Sequence, residues 1–212
     1  MAFPILLTND DGINSPGLQE LASSLNARGH PLVVLAPLTE QSAVGMKLTL
    51  RDDMAFHEHT DIADSIRVNE EAPLRVFSLD GSPCDCVIVA IDGGLRAWAP
   101  EIEPWMCISG INRGPNLSVD VLHSGTVSAA RESALYGLPS LSVSLATYSH
   151  EDYSDSIRAT LDVIAGLSSF VTNRPDNLLR PQGSKKKPPQ GLGSDAIQSW
   201  FLQGNLFLNL NV

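Results

Sequence analysis

Ile5-Leu6-Leu7-Thr8-Asn9-Asp10-Asp11-Gly12 is an apolar run that ends on two adjacent carboxylates and a glycine. Neighbouring carboxylates raise each other's pKa and repel unless a cation or several donors sit between them. Taken alone, Asp-Gly after an apolar run is a hairpin signal. The residues that follow decide otherwise. Ser15-Pro16 offers a capping residue and a proline at the first helical position. Leu18, Leu21, Ala22 and Leu25 then recur along one helical face, closed by Gly29. A helix replaces the return strand, and Leu32-Val33-Val34-Leu35-Ala36 is continuously apolar, as in a parallel sheet covered on both faces.

Further along, Leu74 to Leu79 reads as a strand, and Ser82-Pro83-Cys84-Asp85 as a capping box opening a helix that Gly93-Gly94 stops. Trp105 to Ile108 is a strand leading into a loop, Ser109 to Asn116. Ser124-Gly125-Thr126 opens a helix from Val127 to Tyr136, Ser140 to Leu145 alternates as a strand, and Asp152 to Ser169 is an amphipathic helix. This order predicts an α/β fold, a doubly wound, mostly parallel sheet of Rossmann-like type. Residues 1–171 form the core, with a polar excursion at 37–72 that contains a short strand-like Leu48-Thr49-Leu50. Residues 172–195, rich in Pro and Gly and carrying Lys185-Lys186-Lys187, read as a surface insertion. Residues 196–212 return to the core as strand material at Trp200-Phe201 and a closing strand at 206–212. A chain that stops on a strand leads us to expect further sequence beyond it.

Composition narrows the function. The hydrophobic fraction of 43% is that of a globular protein. With 24 acidic against 14 basic residues, the net charge of -10 disfavours nucleic acid and anionic membrane as partners. No apolar run approaches the roughly 18 residues of a membrane span and no signal peptide is evident, so cytoplasm is expected. Cys84, Cys86 and Cys107 make neither a disulfide framework nor a zinc pattern, and His57-x-His59 reads as a polar strand edge.

In open α/β sheets the ligand lies beyond the carboxyl ends of the strands. On that rim fall Asp10-Asp11 after the first strand, Glu40-Gln41-Ser42 after the second, Ser109 to Asn116 after the fourth, and the helix start Ser124-Gly125-Thr126. Its donors are carboxylate, carboxamide and hydroxyl oxygens. Hard donors of this kind suit Mg²⁺ or Mn²⁺, with Ca²⁺ also compatible. The helix start is either a plain N-cap or an anion site, and facing metal carboxylates it points to phosphoryl chemistry.

At these residues a family resemblance becomes specific. Leu7-Thr8-Asn9-Asp10-Asp11-Gly12 with Pro16-Gly17, Gln41-Ser42-Ala43 before Leu48-Thr49-Leu50, Gly81-Ser82-Pro83-Cys84-Asp85-Cys86-Val87, Ser109-Gly110-Ile111-Asn112-Arg113-Gly114-Pro115-Asn116, and Ser124-Gly125-Thr126-Val127 with Ala129-Ala130 together resemble the SurE family of stationary-phase survival nucleotidases. The resemblance implies a metal-dependent phosphomonoesterase that hydrolyses nucleoside 5'- and 3'-monophosphates, in some members short polyphosphate. It implies one divalent ion per subunit held by Asp10, Asp11, Ser42 and Asn112, with Asp10 and Asp11 catalytic. It places Asn9, Asn116, Ser124, Gly125 and Thr126 around the phosphate, and His123 beside it as either a general acid or a packing residue. For a complete chain it implies a homodimer or homotetramer built partly by a further C-terminal extension. Leu38, Met46-Lys47 and Val119 depart from the family pattern and bear on substrate preference.

Two rivals share some of these features. A phosphoacceptor signalling domain also pairs acids after its first strand, but needs a third Asp after the third strand and a Lys after the fifth, where Leu145 is followed by Ala146-Thr147. A catalytically silent nucleotide-binding protein is the other.

Overall fold

The computed structural model describes residues 1–175 and 193–212. In it, β1 (Ile5–Thr8), β2 (Leu32–Pro37), β3 (Phe56–Glu58), β4 (Leu74–Leu79), β5 (Met106–Arg113), β6 (Ser140–Leu145) and β7 (Leu208–Asn211) form one sheet in the order β3-β4-β2-β1-β5-β6-β7. Every pairing is parallel except that of β3 with β4. From β1 the chain builds outward first through β2 and β4, then on the other side through β5 and β6. The order therefore reverses between β1 and β5, which is where open α/β sheets bind ligands.

Alternation along β1 divides the core. Ile5 and Leu7 face a cluster with Leu18, Leu21 and Leu25 of α1 (Pro16–Ala27), while Leu6 faces Val33, Leu35, Val87 and Ala129 on the other side. Strands buried on both faces explain the unbroken apolar runs. The capping box at Ser82 forms as read: Asp85 N donates to Ser82 Oγ and Ser82 N to Asp85 Oδ2, opening α3 (Pro83–Val89).

Several elements differ from the sequence reading. Leu48-Thr49-Leu50 is not a strand, because the α3 cap claims its backbone: Thr49 N donates to Asp85 Oδ1, and Ser82 Oγ donates to Lys47 O. The excursion instead holds β3 and the helix α2 (Thr60–Ile66), and Asn26 pins its far end by accepting from Val68 N and Asn69 N. The helix opened by Pro83 does break at the glycine pair as read, where Asp92 and Gly93 leave helical geometry with Gly93 at φ 120, but a short helix α4 (Leu95–Trp98) follows directly. Trp200 and Phe201 lie in a helix, Ser194–Leu202, since a short apolar run is ambiguous between strand and helix. The helices between α4 and that one are α5 (Asp120–His123), α6 (Gly125–Leu135) and α7 (Ser154–Leu167), which makes Ser194–Leu202 α8. Most of the insertion expected at 172–195, including Lys185 to Lys187, lies outside the described residues. Among the described residues no helix is long and apolar enough to cross a membrane.

Candidate active site

Beyond the β1/β5 switch point opens a cleft of about 790 Å³, bounded by the loops after β1, β2, β5 and β6 and by α5. Asp10 and Asp11 stand at its floor. Asp10 is only 4% exposed. Its position is dictated by α6, which begins against it: Thr126 Oγ1 donates a hydrogen bond to Asp10 Oδ1, and the Gly125 and Thr126 amides also point at the carboxylate. Gly125 is required for this approach, since a Cβ there would sit 2.7 Å from Asp10 Cβ. Burial pushes the Asp10 carboxyl above the ordinary range despite these donors. Asp11 is pushed up to about 7, first by burial and then by the charge of Asp10, against the opposing hydrogen bond from Arg113 N at 3.2 Å.

Asn112 reaches this group because β5 does not end at Ile108. The segment read as a loop continues the strand to Arg113, across an irregularity between Ser109 and Asn112, after which Asn112 pairs with Ser144 and Arg113 with Leu145. Such irregularities re-aim side chains. Asn112 Oδ1 lies 3.3 Å from Thr126 Oγ1, and its Nδ2 donates to Gly114 O at 2.7 Å. Ser42 stands on the exposed loop after β2, lining the cleft, and donates to Glu40 Oε1 at 2.6 Å. Gln41 N donates to Asp10 O, and Gly45 N to His123 O, so this loop is fastened at both sides of the cleft.

The remaining candidates fall into two layers. Asn116 and Ser124 line the cleft with His123 and Asp120. Ser124 Oγ accepts from Val127 N as the cap of α6, while Asn116 Nδ2 donates to Ser144 Oγ. Asn9, Gly125 and Thr126 lie behind them. Asn9 is fully buried and closes the turn after β1, donating to Gly12 O and Ser15 Oγ and accepting from Gly12 N. Ser15 is consequently taken up by Asn9 and does not cap α1 with its side chain.

A further wall was not read from sequence: Tyr148, Glu151 and Tyr153, which join Arg113 of the rim already read. Arg113 Nε pairs with Glu151 at 3.0 Å. The signal was available, because the rule that ligands lie beyond strand ends applies equally to residues 146–153 after β6.

The donor chemistry fits a divalent cation. Two carboxylates, both shifted upward and neither in a salt bridge among the described residues, need a positive charge between them when ionised. Among the described residues no group of three or more His, Cys, Asp or Glu gathers as a metal cluster. Two Asp with neutral Asn and Ser oxygens is a sparser set, of the kind Mg²⁺ accepts while keeping several waters.

Comparison with known proteins places this geometry in context. Residues 5–212 match the family model described as survival protein SurE. The chain is 38% identical over 189 residues to the 5'-nucleotidase SurE of Synechococcus sp. (strain JA-3-3Ab), covering 89% of this chain and 66% of that protein. It is 43% identical over 141 residues to the 5'-nucleotidase SurE of Caldanaerobacter subterraneus subsp. tengcongensis, covering 66% and 50%. The crystal structure of the SurE protein from Aquifex aeolicus superposes with a TM-score of 0.61 at 30% identity, over 81% of this chain and 61% of that one. The chain spans between about half and just under two thirds of the length of the curated relatives it matches.

Proposed function

The chain belongs to the SurE family, and from that premise we propose that it is a metal-dependent phosphomonoesterase hydrolysing nucleoside 5'- and 3'-monophosphates to nucleoside and phosphate. The observation that carries this reading is the pair Asp10-Asp11, buried and half-buried respectively at the sheet's switch point, with raised pKa values and no cationic partner in a salt bridge among the described residues.

In this reading Asp10, Asp11, Asn112 and Ser42 hold one Mg²⁺ or Mn²⁺ ion. When bound, the ion supplies positive charge to a phosphoryl oxygen and lowers the pKa of water. Thr126 and Gly125 keep Asp10 in place through its carboxylate, which assigns them to positioning the site. Asn116 and Ser124, in the cleft itself, present polar groups to the phosphate, and Asn9 supports the turn beneath. The proton of the attacking water goes to Asp11, because Asp11 is the less buried of the two carboxylates. His123, exposed and lining the cleft, would return a proton to the departing alkoxide. A cytoplasmic location and a homodimeric or homotetrameric assembly belong to the same reading, the latter to be read from native mass. The phosphoacceptor rival gains nothing here: among the described residues lining the cleft there is no lysine.

The test is phosphate release from AMP and p-nitrophenyl phosphate with Mn²⁺, with EDTA, and in Asp10→Asn. EDTA should abolish release, and the substitution should lower it by more than about a hundredfold. Release that ignores EDTA and survives the substitution would overturn the reading.

A further inference from the structure

Tyr148 is a residue of the cleft that the chemistry above leaves unused. It stands on the segment after β6, 67% exposed, and lines the cleft. An isolated exposed aromatic is unremarkable in itself. This one is backed by main chain. Gly114, at φ +106, lies so close to the ring that a Cβ there would overlap Cε1, Cζ and Oη. The phenol end of the ring is thus seated against backbone, and among the described residues no other ring stacks on it.

The seat is connected to the reacting groups. Gly114 O accepts from Asn112 Nδ2, Asn112 Oδ1 neighbours Thr126 Oγ1, and Thr126 donates to Asp10. Two residues of chain span at most about 7 Å, so Gly114 and the ring against it stay close to Asn112. The Arg113–Glu151 ion pair ties the segment carrying Tyr148 to the end of β5 on the same wall.

We propose that Tyr148 is the stacking platform for the planar part of the ester's alcohol, and that it makes the cleft prefer phosphate esters of heteroaromatic nucleosides over those of aliphatic alcohols. The assignment rests on the phosphomonoesterase reading. Stacking on a π-face tolerates every base, so the platform would select nucleosides as a class without choosing among them. It also separates roles on the rim: the groups around Asp10 act on the phosphate, and Tyr148 acts on what leaves.

The experiment compares AMP with β-glycerophosphate in wild type, Tyr148→Ala, Tyr148→Phe and Tyr148→Trp, all with Mn²⁺. Because the ring is exposed, its removal empties no core. Tyr148→Ala should raise KM for AMP about tenfold with kcat within about twofold, leave β-glycerophosphate unchanged, and be rescued by Phe and Trp. A loss shared equally by both esters, or no loss, overturns the proposal. Should wild type hydrolyse neither ester, the phosphomonoesterase reading fails separately. Calorimetric binding of adenosine then decides the platform: weakening of about tenfold in Tyr148→Ala supports it, and unchanged binding overturns it.

Discussion

At the amino end of the central strand, Phe3 stacks on Trp105 at 6.2 Å and meets His30 edge-on at 5.1 Å, while His30 Nδ1 lies 3.2 Å and 3.0 Å from the backbone N and O of Phe3. Burial lowers the His30 pKa, which favours the uncharged ring. At the carboxyl end the same strand delivers Asp10 and Asp11 into a cleft where burial raises both carboxyl pKa values and the charge of Asp10 adds to the rise at Asp11. One end satisfies its polar groups with neutral partners. The other concentrates like charge and leaves it to be neutralised from outside. Stability and chemistry are therefore separated along a single buried strand, and substitutions at the two ends should be distinguishable by what they damage.

The largest effect is expected at the amino end. Phe3→Ala removes a fully buried ring and should cost about 3–5 kcal/mol in denaturant unfolding, while phosphate release per folded molecule stays near wild type. If turnover fell in step with stability, the two ends would be coupled and the contrast would break. Next comes Gly125→Ala. The added Cβ, 2.7 Å from Asp10 Cβ, must shift the carboxylate. Displacement near 1 Å can cost on the order of a hundredfold in rate, and steady-state kinetics with Mn²⁺ should show the loss chiefly in kcat.

The smallest effect is a pH dependence of the metal-free protein. Burial and then the charge of Asp10 push the folded-state Asp11 carboxyl up to about 7 from its ordinary 3.8. A carboxyl raised in this way binds its proton more tightly when folded. Its stabilising contribution is fully present below the unfolded value and is lost as pH rises through the folded one. In EDTA, Asp11→Asn should therefore flatten the decline in melting temperature between about pH 5 and about pH 7.5 relative to wild type. Equal pH profiles in the two proteins would remove the electrostatic half of the contrast.

Much of this was legible in the residues because the signals are local. The apolar runs of β1, β2 and β4, the periodic face of α1 and the capping box at Ser82 each depend on neighbours within a turn or a strand. Trp200-Phe201 misled because two apolar residues carry no period. The strand extension through Arg113 escaped because glycine and asparagine commonly mark loops, and here β6 supplied the partner that kept the chain extended. Among the site candidates, Asn9 turned inward to close the 9–15 turn, and the donors of Gly125 and Thr126 were directed to Asp10.

By itself, then, the sequence determined an α/β chain with paired carboxylates and hard oxygen donors at strand ends, because periodicity and residue chemistry are properties of short stretches. Only the tertiary structure decided which donors face the cleft, which brace it from behind, and that Tyr148 sits on Gly114 within reach of Asn112. Those relations join residues such as Asp10 and Thr126, 116 positions apart, and no local preference encodes the direction in which a polar side chain finally points.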